Sequence, residues 1–157
     1  MNQDDQMLQM IRAAFADCPR PEHFTNYQHC EECYEHDETL RNNNLETLSI
    51  EQVGNTGWDP ICFISPAGFV YYFPALARIA LAESLDYPYL LQLLFHLNDP
   101  VGYKHRLHCT PVQRKAVIAF LGYIIDSRAE LLDHYDSSDE ALSAWGAWAS
   151  APKTDNT

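Results

Sequence analysis

The stretch that decides the fold is TPVQRKAVIAFLGYIIDSRAELLDHY, residues 110–135. Thr110 and Pro111 form a typical helix start, because a proline at the first helical position lacks only an N–H group that would have no partner inside the helix. The apolar residues that follow recur mostly at steps of three and four, the period of an amphipathic helix. They are Val117, Phe120, Leu121, Ile124, Ile125, Leu131, Leu132 and Tyr135. We therefore predict a central helical run over residues 111–135.

Three further segments carry signals of a helix start. Residues 49–52 and 137–140 have a serine followed three residues later by Gln or Glu, which is the pattern of a capping box. Ser65 and Pro66 repeat the cap and proline of the central stretch. Pro74 lies inside the helix that Ser65 begins, so we expect that helix to be kinked or divided there.

The remaining segments also favour helices. Asp4 and Asp5 predict the cap of a first helix, and a second helix is expected at about residues 30–41. Residues 89–97 are almost wholly apolar and predict a buried helix. Residues 61–64 are a candidate strand, but a single strand cannot form a sheet. We therefore predict an all-α fold of six or seven helices.

Length and composition indicate one compact domain. The chain has 157 residues, of which 46% are hydrophobic and 12% aromatic, as in folded globular domains. We expect a single helical domain over residues 1–150 and a disordered tail over residues 151–157. The first residues are polar and acidic rather than those of a secretory signal, and proline and charge interrupt the longest apolar tract. A soluble, cytoplasmic protein with reduced cysteines is therefore expected.

The charge of the chain is negative and unevenly distributed. The net charge is −12, from 22 acidic residues against 10 Lys and Arg. Residues 1–60 contain 12 acids and only three arginines, a net charge of −9. Because nucleic acids and anionic membranes bind through Lys and Arg, this composition excludes both as partners and favours a basic protein instead. A surface that serves solubility alone is the alternative.

Residues 29–38, HCEECYEHDE, hold the densest group of chemically capable side chains. Cys30 and Cys33 have the spacing of zinc ligands, and His29 and His36 are the nearest additional donors. Donors elsewhere that would complete a site are Cys18, His23, His105, His108 and Cys109. We favour no metal, because the ligand set is incomplete in sequence and cysteines within a helix do not form a zinc knuckle. Zinc bound by residues of the first group is the alternative.

Enzymatic activity is not indicated. A redox Cys-x-x-Cys needs a thiolate, whereas Glu31 and Glu32 between the two cysteines are expected to raise the thiol pKa. His29, Cys30 and Glu31 match the H-x-E of zinc deaminases, but the P-C-x-x-C part of that motif is absent. Hydrolase and phosphate-loop motifs are also missing. We predict a non-enzymatic protein, with an enzyme that uses Cys30 and Cys33 as the alternative.

The chain resembles a family of small bacterial proteins of unknown function. The resemblance is carried by residues 30–33 as a C-x-E-C motif and by residues 65–75, SPAGFVYYFPA, as SP-x-x-F-x-YY-x-PA. It covers about residues 10–80 and includes Phe15 and the Trp58-Asp59 pair. The resemblance implies the fold and a bacterial origin, and it leaves the function open.

An acidic helix is the best candidate for a functional surface. In a helix over residues 30–41, the i, i+4, i+7 spacing aligns Glu31, Glu35 and Glu38, and each close like-charge pair costs a few tenths of a kcal/mol. That cost suggests a use. We predict a non-catalytic protein that binds a basic partner here, best matched by an immunity or inhibitor protein against a basic bacterial toxin. The predicted partner-binding residues are Glu31, Glu32, Glu35, Asp37 and Glu38.

Overall fold

The computed structural model describes residues 1–82 and 87–150, and these residues form an all-α fold. The described part of the chain contains nine α-helices and a short 3₁₀ helix, and no strand. The helices are α1 Gln3–Ala14, α2 Glu31–Arg41, α3 Ile50–Val53, α4 Pro66–Leu81, α5 Tyr89–Leu97, α6 Tyr103–His108, α7 Pro111–Ser127, α8 Ala129–His134 and α9 Ser138–Ala149, with the 3₁₀ helix at Pro60–Phe63. Six of the nine have seven residues or more, which confirms the predicted fold class. The predicted tail over residues 151–157 lies outside the described residues.

The central stretch forms two helices instead of one. Thr110 caps α7 in a complete capping box with Gln113, as its sequence predicts. The run is broken at Arg128, whose φ of −119° and ψ of 26° lie outside the helical range. Its guanidinium pairs with Asp4 at 2.8 Å and donates to the carbonyl of Leu81 at 3.1 Å. These distant contacts accompany the break, and the local sequence gives no sign of them.

Two of the predicted helix caps are wrong in detail. The box at residues 137–140 does not form, because the Ser137 hydroxyl donates to the carbonyl of Tyr135 instead of capping α9. At the first helix, the side chain of Asn2 is the cap and accepts from the backbone N–H of Asp5. The two aspartates predicted as caps lie in the first turn, where their negative charge interacts favourably with the positive end of the helix dipole.

Pro74 does not divide α4, which runs as one helix through that position. Most of α4 is buried, and its packing offsets the hydrogen bond that a proline cannot donate. Residues 61–64 do not form a strand. Most of them belong to the 3₁₀ helix, which Asp59 caps by accepting from the N–H of Ile61 at 2.9 Å.

Most core residues come from α4, α5 and α7, and α4 packs on α5 and α6, while α1 packs on α4 and α7, and α9 packs on α5 and α7. Trp148 of α9 is fully buried, and its indole N–H donates to the carbonyl of Leu97 at 2.8 Å. Although α4 and α5 are largely apolar, no helix in the described residues has the length and apolar composition needed to cross a membrane. The helix α2 contacts the 3₁₀ helix at the edge of this core.

Candidate functional site

The cysteines of the C-x-E-C motif lie at the start of α2. Cys30 is the N-cap residue, and its Sγ accepts from the backbone N–H of Cys33 at 3.3 Å. Cys30 is exposed, whereas Cys33 is buried. The predicted helix over about residues 30–41 therefore exists, but Cys30 precedes its first turn instead of lying within it.

The two thiols and a histidine form one cluster. The Sγ atoms of Cys30 and Cys33 are 3.2 Å apart, and His29 Nδ1 is 3.8 Å from the Sγ of Cys33. The backbone N–H of Cys33, and then the hydrogen bonds from the Cys33 thiol and His29, lower the pKa of Cys30 to about 7. The hydrogen bond to Cys30 raises the pKa of Cys33, and the charge of Glu32 adds a smaller increase.

The expected suppression of the thiolate is therefore wrong for Cys30 and holds only for Cys33. The hydrogen bonds from the backbone N–H of Cys33, the Cys33 thiol and His29 stabilise a negative sulfur on Cys30 and outweigh the opposing effect of burial. One ligand atom from each of His29, Cys30 and Cys33 lies within 4.8 Å of the others. The cluster can therefore offer three donors to a soft metal ion.

His36 does not join this cluster, although it belongs to the predicted ligand set. It is fully buried, and its ring lies 4.5 Å from that of Trp58 and 4.9 Å from that of Phe63. Its Nε2 is 3.4 Å from a carboxylate oxygen of Glu32. His36 thus connects α2 to the aromatic residues beside it.

The other metal donors considered from the sequence also remain apart. His105 of α6 is buried and stacked on Phe69, with ring centroids 4.1 Å apart. His23 is engaged by Asp37 at 2.7 Å, and the thiol of Cys18 faces its neighbouring carbonyl. Within the described part of the chain, none of these residues joins a group of three possible ligands. The same holds for His108 and Cys109.

Asp37 is buried in the fold, so its inclusion among the predicted contact residues is wrong. It is 1% exposed, and one of its oxygens accepts from the backbone N–H of Phe24 at 2.6 Å and of Thr25 at 3.2 Å. The other oxygen contacts His23. This carboxylate attaches α2 to the segment before it.

The C-terminal end of α2 is also fixed by hydrogen bonds from other segments. The Arg20 guanidinium donates to the backbone carbonyls of Arg41 and Asn43, both at 3.0 Å. The Tyr72 hydroxyl, from α4, lies 2.5 Å from the carbonyl of Leu40 and 2.8 Å from that of Asn43. The carbonyl groups that end the helix are thus satisfied by side chains from two other segments.

The remaining acidic residues of α2 face solvent. Glu31 and Glu35 are exposed, and the side chain of Glu38 is 40% exposed and pairs with Arg41 at 3.2 Å. Tyr34 lies between them on the same face, by the i, i+3, i+4, i+7 spacing, and is 51% exposed. The structure therefore presents an exposed line of three carboxylates with a tyrosine in it, which we call the acidic face.

Exposed aromatic side chains continue the surface beside the acidic face. Trp58 and Phe63 both pack against the ring of His36 and remain 42% and 38% exposed. Glu32, whose side chain is 43% exposed, contacts the same histidine. The predicted contact residue Glu32 is thus linked to these two aromatic residues through His36.

A second group of possible ligands lies at the 3₁₀ helix and α5. Asp59 and His96 are buried, and Asp59 Oδ2 is 2.8 Å from His96 Nε2. One ligand atom from each of Asp59, Cys62 and His96 lies within 4.8 Å of the others. The Nε2 of Gln92 approaches the same oxygen of Asp59 at 3.4 Å.

A cavity of about 350 Å³ opens over this second group. Its described lining residues are Thr56, Asp59, Cys62, Tyr87, Leu91, Gln92, Phe95, His96 and Glu140. Although the residue as a whole is exposed, partial desolvation of the Cys62 thiol, and then the charge of Asp59, raise its pKa to about 11, so without a bound metal ion the thiol is protonated near neutral pH. His96 directs Nε2 to Asp59, while its buried Nδ1 has no partner among the described atoms. The thiol is therefore not activated as a Cys-His-Asp nucleophile.

Sequence reasoning missed this second group. Its signal is in the helix YLLQLLFHL, where Gln92 and His96 are the only polar residues besides the first tyrosine. Their i, i+4 spacing places them on one face of a helix that is otherwise apolar. Two such residues in a buried helix need polar partners, and Asp59 supplies one to each.

Comparison with known proteins identifies a family. A protein-family model described as "Family of unknown function (DUF6714)" matches residues 3–151. No curated protein and no solved structure gives a significant match. The match covers nearly the whole chain, so the chain belongs to this family, and the resemblance to a family of unknown function is confirmed.

Proposed function

We propose that this member of a family of unknown function is a non-catalytic, acidic protein that binds a basic protein partner through α2. The main observation in support is the acidic face itself, in which Tyr34 is 51% exposed within a line of three exposed carboxylates. Tyrosine is among the residue types that contribute most to protein–protein binding energy. Carboxylates around it would attract a basic partner and exclude an acidic one.

The way α2 is held supports a role in binding. Buried Asp37 attaches its middle to residues 24 and 25, and Arg20 and Tyr72 bind its last carbonyls. A surface that is already ordered loses less conformational entropy when a partner binds. The carboxylates of the acidic face are therefore presented on a rigid support.

The aromatic surface beside the acidic face supplies apolar contact area. Trp58 and Phe63 are partly exposed and are fixed by their contacts with His36. Interfaces commonly combine aromatic anchors with a charged rim. Glu32 joins the two parts, so the proposed binding surface extends from the acidic face to these two rings.

More specifically, we propose that the chain is an immunity or inhibitor protein that neutralises a basic bacterial toxin in the cytoplasm. Toxins that cleave nucleic acids have cationic clefts, and carboxylates on a rigid helix can occupy such a cleft in place of substrate phosphates. The net charge of −12, with −9 in residues 1–60, would accelerate association with such a partner.

Affinity capture from the native organism tests this proposal when matched variants are compared. The variant E31K/E35K reverses two charges on the acidic face, and the control E130K/D133K makes the same charge change on exposed residues of α8. We expect a basic protein to be captured by the wild type and by the control but not by E31K/E35K. Co-expression of the chain should then suppress the toxicity of that protein. Capture of the same proteins by both double variants would contradict the proposal.

A second candidate function is favoured by the thiol cluster at the start of α2. His29, Cys30 and Cys33 offer three donors within 4.8 Å, so a zinc ion held there would need one further ligand from solvent or from a partner. Zinc analysis of the purified protein tests this candidate, with Cys18→Ser as the control for Cys30→Ser. Stoichiometric zinc that is lost only in Cys30→Ser would favour it, and zinc-free protein that binds its partner normally would rule it out.

A further inference from the structure

We propose that Asp59, Cys62 and His96 form a site for a divalent transition-metal ion of the zinc type, with one coordination position open to the cavity. Its ligands are distinct from those of the thiol cluster at α2 and from the residues of the proposed partner-binding surface, although Asp59 and Cys62 adjoin Trp58 and Phe63 in sequence. Its three donors come from the 3₁₀ helix, the residue before it, and the buried helix α5.

The charge at this position calls for a cation. Asp59 is 4% exposed, and its only partner able to carry a positive charge among the described residues is His96. Glu140 of α9 lines the same cavity, and no Lys or Arg is found among the described lining residues. A buried carboxylate is costly unless it is paired or coordinates a metal ion. A divalent cation would balance the negative charges of both Asp59 and Glu140.

The donor set fits zinc and related ions. Carboxylate oxygen, thiolate sulfur and imidazole nitrogen are all zinc ligands, at about 2.0–2.3 Å from the ion. The three ligand atoms already lie within 4.8 Å of one another, so a single ion can reach all of them. The 2.8 Å contact between Asp59 Oδ2 and His96 Nε2 must open slightly when the ion binds between these two atoms.

His96 directs one ring nitrogen, Nε2, into the group, and this is the nitrogen that would bind the ion. His96 is 1% exposed, and its Nδ1 has no hydrogen-bond partner among the described atoms. Coordination through Nε2 would add a strong interaction to the half of the ring that already faces Asp59.

The cavity determines what the open position can accept. Three protein ligands leave the fourth tetrahedral position for water or an added ligand, as in metal sites that are not purely structural. The cavity of about 350 Å³ has the size of a small-molecule site and includes the apolar side chains of Leu91 and Phe95. The position therefore suits a small, mostly apolar molecule with one nitrogen, oxygen or sulfur donor.

Cobalt titration of chelator-treated protein tests the site, because Co²⁺ occupies zinc sites and reports thiolate ligands by a charge-transfer band. We expect the wild type to bind Co²⁺ with this band, and zinc to displace it. Cys62→Ser should remove the band of this site and weaken binding at least about tenfold. Cys62 is exposed, so this variant should fold, which a circular dichroism spectrum checks.

The double variant C30S/C33S separates the two thiol-containing groups. The band assigned to Cys62 should persist in C30S/C33S, and adding imidazole should shift the visible bands of its cobalt through the open position. The proposal is overturned if the wild type binds no Co²⁺, or if Cys62→Ser leaves the charge-transfer absorbance unchanged. If imidazole leaves the visible bands unchanged, the proposal of an open coordination position is overturned.

Discussion

At the scale of single residues, neighbouring carboxylates of α2 have different structural roles. Asp37 is buried and bonded to two backbone N–H groups, whereas Glu35, two residues earlier, is exposed. The sequence contains part of this distinction, because Asp37 falls on the same helical stripe as Cys33, which is also buried. The partners of Asp37 lie more than ten positions away along the chain, so they were not foreseeable from local pattern.

Replacement of Asp37 should show its structural role. Asp37→Ala leaves two backbone N–H groups and His23 without their acceptor, so we expect the free energy of unfolding to fall by about 3 kcal/mol. Glu35→Ala, on the exposed face, should change it by less than about 0.5 kcal/mol. Urea unfolding measures both. Equal effects of the two substitutions would show that Asp37 is not the anchor of α2.

The reactivity of Cys30 should follow its position at the start of α2. Its pKa of about 7 leaves a large thiolate fraction near neutral pH, whereas the pKa values of Cys62 and Cys109 are about 11 and about 12. In reduced, chelator-treated protein, we expect one fast phase of alkylation by iodoacetamide, with a midpoint near pH 7. The phase should vanish in Cys30→Ser and remain in Cys62→Ser. A fast phase that survives in Cys30→Ser would contradict the assignment.

At the scale of helices, sequence patterns predicted the elements whose signals are local. The starts of α4 and α7 and the whole of α5 follow from a cap, a proline and an apolar run. The break at Arg128 was not predictable in this way, because it is accompanied by a contact with Asp4 at the opposite end of the chain. The short helix α6 was also missed, since its six residues are mostly polar and show no clear apolar period.

The packing of α6 on α4 should make stability depend on pH. Burial of His105 against Phe69, and then the positive charges of Lys104, His96 and His108, lower the pKa of His105 to about 3 from 6.5. Between these values the unfolded chain binds a proton that the native protein excludes. The stability that neutral His105 provides is therefore complete above the unfolded pKa and is lost as the pH falls below it.

The variant His105→Phe keeps a ring on Phe69 and removes this titration. From about pH 7 to about pH 5, the wild type should lose about 2 kcal/mol more stability than the variant. His108→Gln, at an exposed position of the same helix, should lose nearly as much stability as the wild type, because burial is the main cause of the His105 shift and the charge of His108 is the smallest one. Chemical unfolding at both pH values measures the difference. Parallel losses in the wild type and in His105→Phe would contradict the burial of a neutral imidazole.

At the scale of the whole molecule, the uneven charge is the property that links sequence to the proposed function. Residues 1–60 carry a net charge of −9, and the acidic face of α2 belongs to this half. The acidic composition and the helical spacing of the acids predicted an acidic face on α2, and the structure places four of the five predicted carboxylates at least partly in solvent. Only the fold could show that Tyr34, Trp58 and Phe63 are exposed near them, since aromatic residues are buried more often than not.

The association rate of the chain with a captured basic partner tests the central claim most directly. Rates would be measured at low and high salt for the wild type, E31K/E35K and E130K/D133K. Because both double variants have the same net charge, their comparison separates the effect of where the charge lies from the effect of the total charge. If the acidic face guides binding, E31K/E35K should associate at least about tenfold more slowly and with a weaker salt dependence, while E130K/D133K stays close to the wild type. Equal rates and equal salt dependence for the two double variants would contradict the assignment of α2 as the binding surface.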